Sequence, residues 1–311
     1  MTDRFPPAGP HGGDGRRLAA ALGVAPADVV DLSASMHPYA PDATSVVRAV
    51  LDADDDLLGA YPDAEPAAQA VARAVGVAPD RVVLTNGAAE AIALVARQVP
   101  VASIVEPEFS LYRRHLRRVE PDAPRWRSDP GNPSGRLAPD GDRAAVRDEA
   151  FYPIATGRWT RGDDTAWRIG SLTKLWACPG LRIGFVISPD SAAAAAVRDD
   201  QPRWAVNALA AAVVEPLLAR TDLPAMHRAL VVARARFSAA VRNAGFVVTE
   251  TDANWVLVDH PDLRRALAPH SIAVRDCTSF GMPGVARVAV PRDDTLERVL
   301  AAFARIGPPR R

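Results

Sequence analysis

The sequence predicts an α/β chain in two parts: a larger domain of strands alternating with helices, then a smaller α+β domain. Its 311 residues exceed the usual size of one domain. Hydrophobic residues make up 48% of the chain, enough for a real core. Short apolar strands, small-residue turns and alanine-rich helices recur along the first two-thirds. The division expected is an N-terminal arm over 1–45, a large domain over 46–205 and a small domain over 206–311.

Composition removes several classes of function. Lys plus Arg number 37 and Asp plus Glu 37, so no basic excess is available to neutralise nucleic-acid phosphates. Cys178 and Cys277 lie far apart, with no spacing suited to a disulfide framework or a metal site. Met1 to Pro10 lacks the apolar core of a signal peptide, and no uninterrupted apolar run is long enough to span a bilayer. The expectation is a cytoplasmic protein with no metal, nucleic-acid or membrane partner.

In chain order, His11-Gly12-Gly13-Asp14 follows a Pro-rich lead, and Arg16 to Leu22 reads as a short helix. After the acidic run Asp54 to Asp56, Pro62 forces Tyr61 out of helical geometry. Val82 to Thr85 is a compact strand, which Asn86-Gly87-Ala88-Ala89-Glu90 turns into a helix reaching about Arg97. Such a turn aims unpaired backbone N–H groups at an anion. Val101 to Glu106 is the next strand. Phe109 stands just beyond it at the start of a helix, where a flat ring could stack, with Tyr112 one turn further on.

Pro130-Gly131-Asn132-Pro133-Ser134-Gly135 is a turn, and only Arg136 to Arg147 separates it from Asp148-Glu149-Ala150-Phe151. Leu181 to Ile187 is a buried strand, and Ala192 to Val197 lies in a helix packed on the sheet. Gln201 to Asn207 breaks the chain before the helices of Ala208 to Ala244. Strands at Phe246–Glu250, Asn254–Asp259, Ala273–Cys277 and Ala286–Val290 then interleave with helices at Pro261–Leu267 and Asp293–Ile306. Arg287 alternates with valines on its strand and so points away from them, toward a cleft.

One lysine occurs in the whole chain, Lys174, within Gly170-Ser171-Leu172-Thr173-Lys174 and ahead of Pro179-Gly180-Leu181-Arg182. A primary amine can form a Schiff base, whereas a guanidinium stays protonated and cannot. The hydroxyls of Ser171 and Thr173 and the fork of Arg182 put an anion site beside that amine.

Ser-Leu-Thr-Lys followed by Pro-Gly-Leu-Arg-Ile-Gly resembles the cofactor-lysine segment of pyridoxal-phosphate enzymes with the aspartate-aminotransferase fold. Within that family the chain is similar to the group of histidinol-phosphate aminotransferases and cobalamin-pathway threonine-phosphate decarboxylases. The resemblance implies an aspartate-aminotransferase-like fold, with a mostly parallel sheet in the large domain, and a homodimer binding pyridoxal 5'-phosphate. It implies that Lys174 carries the cofactor and afterwards acts as acid and base. Gly87, Ala88, Ala89, Ser171, Thr173 and Arg182 would form the phosphate cup, and Tyr61 would reach the partner's cofactor phosphate. Phe109 would stack on the ring, Asn132 would donate to the ring oxygen, and Asp148 would hold the ring nitrogen protonated. Arg287 would grip the substrate carboxylate, with Arg275 a second candidate, for a phosphate.

The chain departs from its relatives in four respects. Ser35 and His37 stand where asparagines are usual, and Phe151 stands where aminotransferases carry tyrosine. Tyr152, on an extended segment, would face the opposite way. The connecting helix after Gly135 is trimmed almost away. His11-Gly12-Gly13, Phe151 and Arg275-Asp276-Cys277 favour a decarboxylase acting on a phosphorylated amino acid, with His11 and Gly12 near the substrate. A histidinol-phosphate-type aminotransferase using 2-oxoglutarate is the alternative. A third reading keeps the fold but serves as a binding or regulatory subunit.

Overall fold

Five strands make the sheet that carries the lysine segment. In this computed structural model, which describes Phe5, Pro7, Gly9 and residues 11–309, the sheet's middle strand is Trp167–Ser171. It pairs in parallel with Val146–Asp148, which pairs in parallel with Trp126–Ser128. On the other side it meets Gly184–Ile187 in antiparallel register, and that strand in turn pairs antiparallel with Val82–Thr85. Four strands therefore run one way and Gly184–Ile187 runs against them. Every residue of Val82–Thr85, Trp167–Ser171 and Gly184–Ile187 is buried, as expected of a sheet covered on both faces. Val83, Ile169 and Val186 share one core with Ile92 and Val95 of the Ala88–Gln98 helix and Val197 of the Ser191–Asp200 helix. The large-domain α/β expectation holds.

The chain divides into two compact units. One holds residues 40–132 and 137–227, and the other holds residues 1–39, 133–136 and 228–311. The expected division at 205/206 differs from this one at 227/228. The alanine-rich helices Ala208–Ala212 and Val214–Leu218 bury Ala210, Val214 and Leu217 within the larger unit, where the second of them packs on the Glu65–Val75 helix.

The smaller unit contains an antiparallel sheet in the order Arg275–Asp276, Val285–Ala289, Trp255–Asp259, Val247–Thr249. Val256, Val258, Ala286 and Val288 turn one face into a core with Phe237, Val299 and Phe303. The helix Asp293–Ile306 has the bounds expected of it. The strand expected over Val101–Glu106 is only Val101–Ala102, followed by a single bridge from Ser103 to Arg125, because Val105 and Glu106 turn out to solvent. Among the described residues no helix is long and apolar enough to cross a membrane.

No helix forms between Gly135 and Val146; a network of charges fills its place. Arg147 is fully buried and reaches Asp142 at 3.1 Å, Asp163 at 3.4 Å and Asp129 at 3.7 Å. Arg161 bonds Asp129 at 3.1 Å, and its N–H donates to Glu149 Oε1 at 3.2 Å. Burial pushes Asp142 up, but Arg127, Arg147 and Arg125 outweigh it and hold the carboxyl below its usual range. Burial pushes Glu149 up to about 7, because Thr160, the Arg161 N–H and Arg168 offset only part of its desolvation.

Two expectations follow from these charges. Arg147→Met removes the buried guanidinium that Asp129, Asp142 and Asp163 share, so stability in urea should fall by about 3 kcal/mol even though Arg161, Arg125 and Arg127 still serve two of them. Glu149 binds its proton more tightly folded than unfolded, so its stabilising contribution is present below its ordinary carboxylate value and is lost as pH rises through about 7. Melting curves of Glu149→Gln should therefore drop less than wild type between about pH 5 and pH 7.5. Parallel curves would show that Glu149 does not titrate there.

Candidate active site

The residues singled out around Lys174 gather at the carboxyl ends of the parallel strands. Val82–Thr85 ends in Gly87, whose φ of +75° leads into the Ala88–Gln98 helix. No side chain caps that helix, so its first N–H groups point outward without an intrahelical acceptor. A Cβ on Gly87 would lie 2.6 Å from the Arg182 guanidinium, so the fork sits directly against this turn. Gly184, the register partner of Ser171, packs so tightly on Ala88 N that a Cβ there would approach to 2.7 Å. Ser171, Ala88 and Arg182 thus share one corner. Thr173 Oγ1 donates to Ile183 O at 3.1 Å and accepts from Ile183 N at 3.2 Å, anchoring the lysine turn to the segment that leads into Gly184–Ile187.

Lys174 is half-buried, with Nζ 5.8 Å from the centre of the Phe151 ring. Its positive charge acts on Asp148, which ends the Val146–Asp148 strand as the register partner of Ile169 and of Ser128. Tyr112 donates to Asp148 Oδ2 at 2.8 Å, and Ala150 N donates to Oδ1 at 3.0 Å. Burial pushes Asp148 up, while these two donors and Lys174 pull it back. Phe109 meets Tyr112 edge-on, with ring centres 5.7 Å apart. Asn132 is buried, with its N–H on Ser128 Oγ at 2.8 Å.

The segment after Asp148 is not extended. Phe151 precedes the short helix Tyr152–Thr156, so Tyr152 begins a helical turn and its electrostatic neighbours are Glu149 and Asp129. Tyr61 lies on the surface, 77% exposed, stacked on Trp204 at 4.3 Å.

Arg275 and Arg287 belong to the smaller unit and are register partners on neighbouring antiparallel strands. Both are buried, and Arg287 lies over the Trp255 ring at 4.9 Å. Arg287 also donates to Ser33 O at 3.4 Å, while Arg275 donates to Gly9 O and to Ser279 Oγ at 2.7 Å. Gly12 is pressed against Ser33, where a Cβ would stand 2.1 Å from the carbonyl oxygen, and Gly13 N donates to Ser33 Oγ at 2.8 Å. His11 is exposed beside them in the chain.

Three residues were missed in these roles: Tyr112 as the donor to Asp148, and the Glu108–Ser128 pair. The only signal was spacing. Glu108 and Tyr112 are four residues apart, and both turn inward.

A family model described as "Aminotransferase class I and II" matches residues 144–303. A threonine-phosphate decarboxylase of Salmonella typhimurium is 32% identical over 95% of this chain and 96% of its own length. The chain belongs to the class I and II aminotransferase family. Histidinol-phosphate aminotransferase 1 of Mesorhizobium japonicum is 26% identical, covering 91% of each chain. The structure of histidinol-phosphate aminotransferase from Sinorhizobium meliloti, in complex with pyridoxal-5'-phosphate, shares the fold with a TM-score of 0.76. It is 20% identical and covers 98% of this chain and 97% of that one.

The family member described here is a pyridoxal-phosphate-dependent enzyme, and its residues fit that group. The turn at Gly87 offers N–H groups and a guanidinium to a phosphate. The desolvated Asp148 suits a cationic ring nitrogen, which would hold the carboxyl ionised despite burial.

Asp148→Asn should still bind the cofactor but lose turnover by on the order of 10²-fold, the scale of removing a preorganised electrostatic partner. Near-normal steady-state rates in that variant would show that another group does this work.

Proposed function

We propose that this enzyme removes the α-carboxylate of a phosphorylated amino acid of the threonine-phosphate type, acting as a cytoplasmic homodimer. The observation that carries the reading is the pair Arg275 and Arg287. Directly opposed residues on antiparallel strands present their side chains on one face, and like charges so placed repel. Burial lowers both guanidinium pKa values, that of Arg287 to about 10. A substrate with two anionic groups would offer a charged partner to each. The 32% identity with a threonine-phosphate decarboxylase over nearly the whole chain supports the same choice. So does the seating of Gly12 and Gly13 on Ser33, whose carbonyl receives Arg287.

When bound, pyridoxal phosphate supplies an electron sink for the pair left at the substrate's α-carbon. Ser171 Oγ, the N–H groups of Ala88 and Ala89 and the Arg182 fork bind its phosphate, with Gly87 admitting the close approach. Thr173 positions the turn. Phe109 packs on the ring, Asn132 donates to the ring oxygen, and Asp148 holds a proton on the ring nitrogen. Arg287 grips the substrate carboxylate and Arg275 the phosphate end, near His11 and Gly12. The bond between the α-carbon and the carboxylate breaks, carbon dioxide leaves, and Lys174 Nζ delivers the proton that replaces it. Tyr61, exposed and stacked on Trp204, would face the second subunit of the proposed dimer.

Borohydride should fix cofactor mass on the peptide containing Lys174 and on no other. With threonine phosphate and no keto acid, the enzyme should release carbon dioxide over many turnovers while its visible band persists. Stoichiometric bleaching by histidinol phosphate, with recovery on adding 2-oxoglutarate, would install the aminotransferase instead.

A further inference from the structure

We propose that Glu108 is a positioning residue of the cofactor site: through Ser128 it fixes Asn132, and through its charge it sets how firmly Asp148 holds a proton. The inference rests on the cofactor assignment above. Glu108 is 8% exposed, an unusual place for a carboxyl with no basic partner among its bonds. Its Oε2 accepts from Ser128 N at 2.8 Å, and its Oε1 accepts from Phe109 N at 2.8 Å and from the Ser128 hydroxyl. With its proton turned to Glu108, Ser128 Oγ offers a lone pair to Asn132 N at 2.8 Å. One carboxyl therefore orients the hydroxyl that holds the Asn132 backbone, and it also holds the backbone of Phe109.

The second arm is electrostatic. Ser128 and Asp148 are register partners, and Tyr112 donates to Asp148 Oδ2. The titratable groups facing Glu108 are Asp148 from the sheet and Tyr112 from the helix. On its own turn, Glu106 accepts the Glu108 N–H at 2.8 Å and pairs with Arg113 at 2.6 Å. The charge of Lys174 also acts on Asp148. Two carboxyls buried this close favour states in which one keeps its proton. Burial, offset in part by the Ser128 and Phe109 donors, pushes Glu108 up to about 7, with Asp148 adding to the rise. Near neutrality, Glu108 is thus a group that can gain or lose a proton beside Asp148, whose own carboxyl burial also pushes up.

The test is a pH titration of the visible band of the holoenzyme. Glu108→Gln removes a negative charge, so the apparent pKa of that titration should fall by about half a unit or more. Glu108→Asp, which keeps the charge, should restore it toward wild type, a rescue that a purely structural role does not predict. A Glu108→Gln titration superimposable on wild type overturns the inference. If that variant does not fold, Ser128→Ala should weaken pyridoxal phosphate binding by about tenfold through the loosened Asn132. Unchanged affinity there also overturns it. A wild-type protein that takes up no pyridoxal phosphate overturns this inference together with the cofactor assignment, whereas a yellow wild type with an unmoved Glu108→Gln titration overturns this inference alone.

Discussion

A carboxyl kept at the end of a buried strand is the constraint around which the larger unit is arranged. Placing Asp148 out of water costs free energy that only directed donors and a nearby cation can offset. The parallel register brings Ser128 beside it, the helix Leu111–His115 brings the Tyr112 hydroxyl to it, and the turn after Trp167–Ser171 brings the charge of Lys174 to bear on it. The one reversed strand returns the chain, so that Arg182 stands against Gly87 and Gly184 against Ala88. The corner at Gly87 and the carboxyl of Asp148 are thereby held by the same five strands.

Much of this was legible where the chemistry is local. A lone lysine among hydroxyls, a glycine between strand and helix, and an arginine alternating with valines each state their reason within a few residues. The helix Asp293–Ile306 could be bounded from sequence because its acidic start and apolar stripe are local features too. What escaped depends on pairing between distant segments. Nothing near Glu108 announces that Ser128 will close on it, and nothing near Tyr112 announces Asp148. The same holds for the unit boundary. The helices after Asn207 resemble those of a separate domain until their burial against Glu65–Val75 is known. Tyr152 was misplaced because the strand ends at Asp148 and Phe151 opens a helical turn, a change of period that a single proline inside the turn did not signal.

The stretch between Gly135 and Val146 shows one way to cover a sheet without a helix. Apolar cover would draw its strength from water released from hydrocarbon. Here Arg147 and Arg161 bind Asp129, Asp142 and Asp163 with little solvent between them. The hydration that such ions give up on folding becomes less valuable as temperature rises, whereas the strength of apolar burial levels off. This face of the protein therefore gains on warming relative to a conventional helical cover.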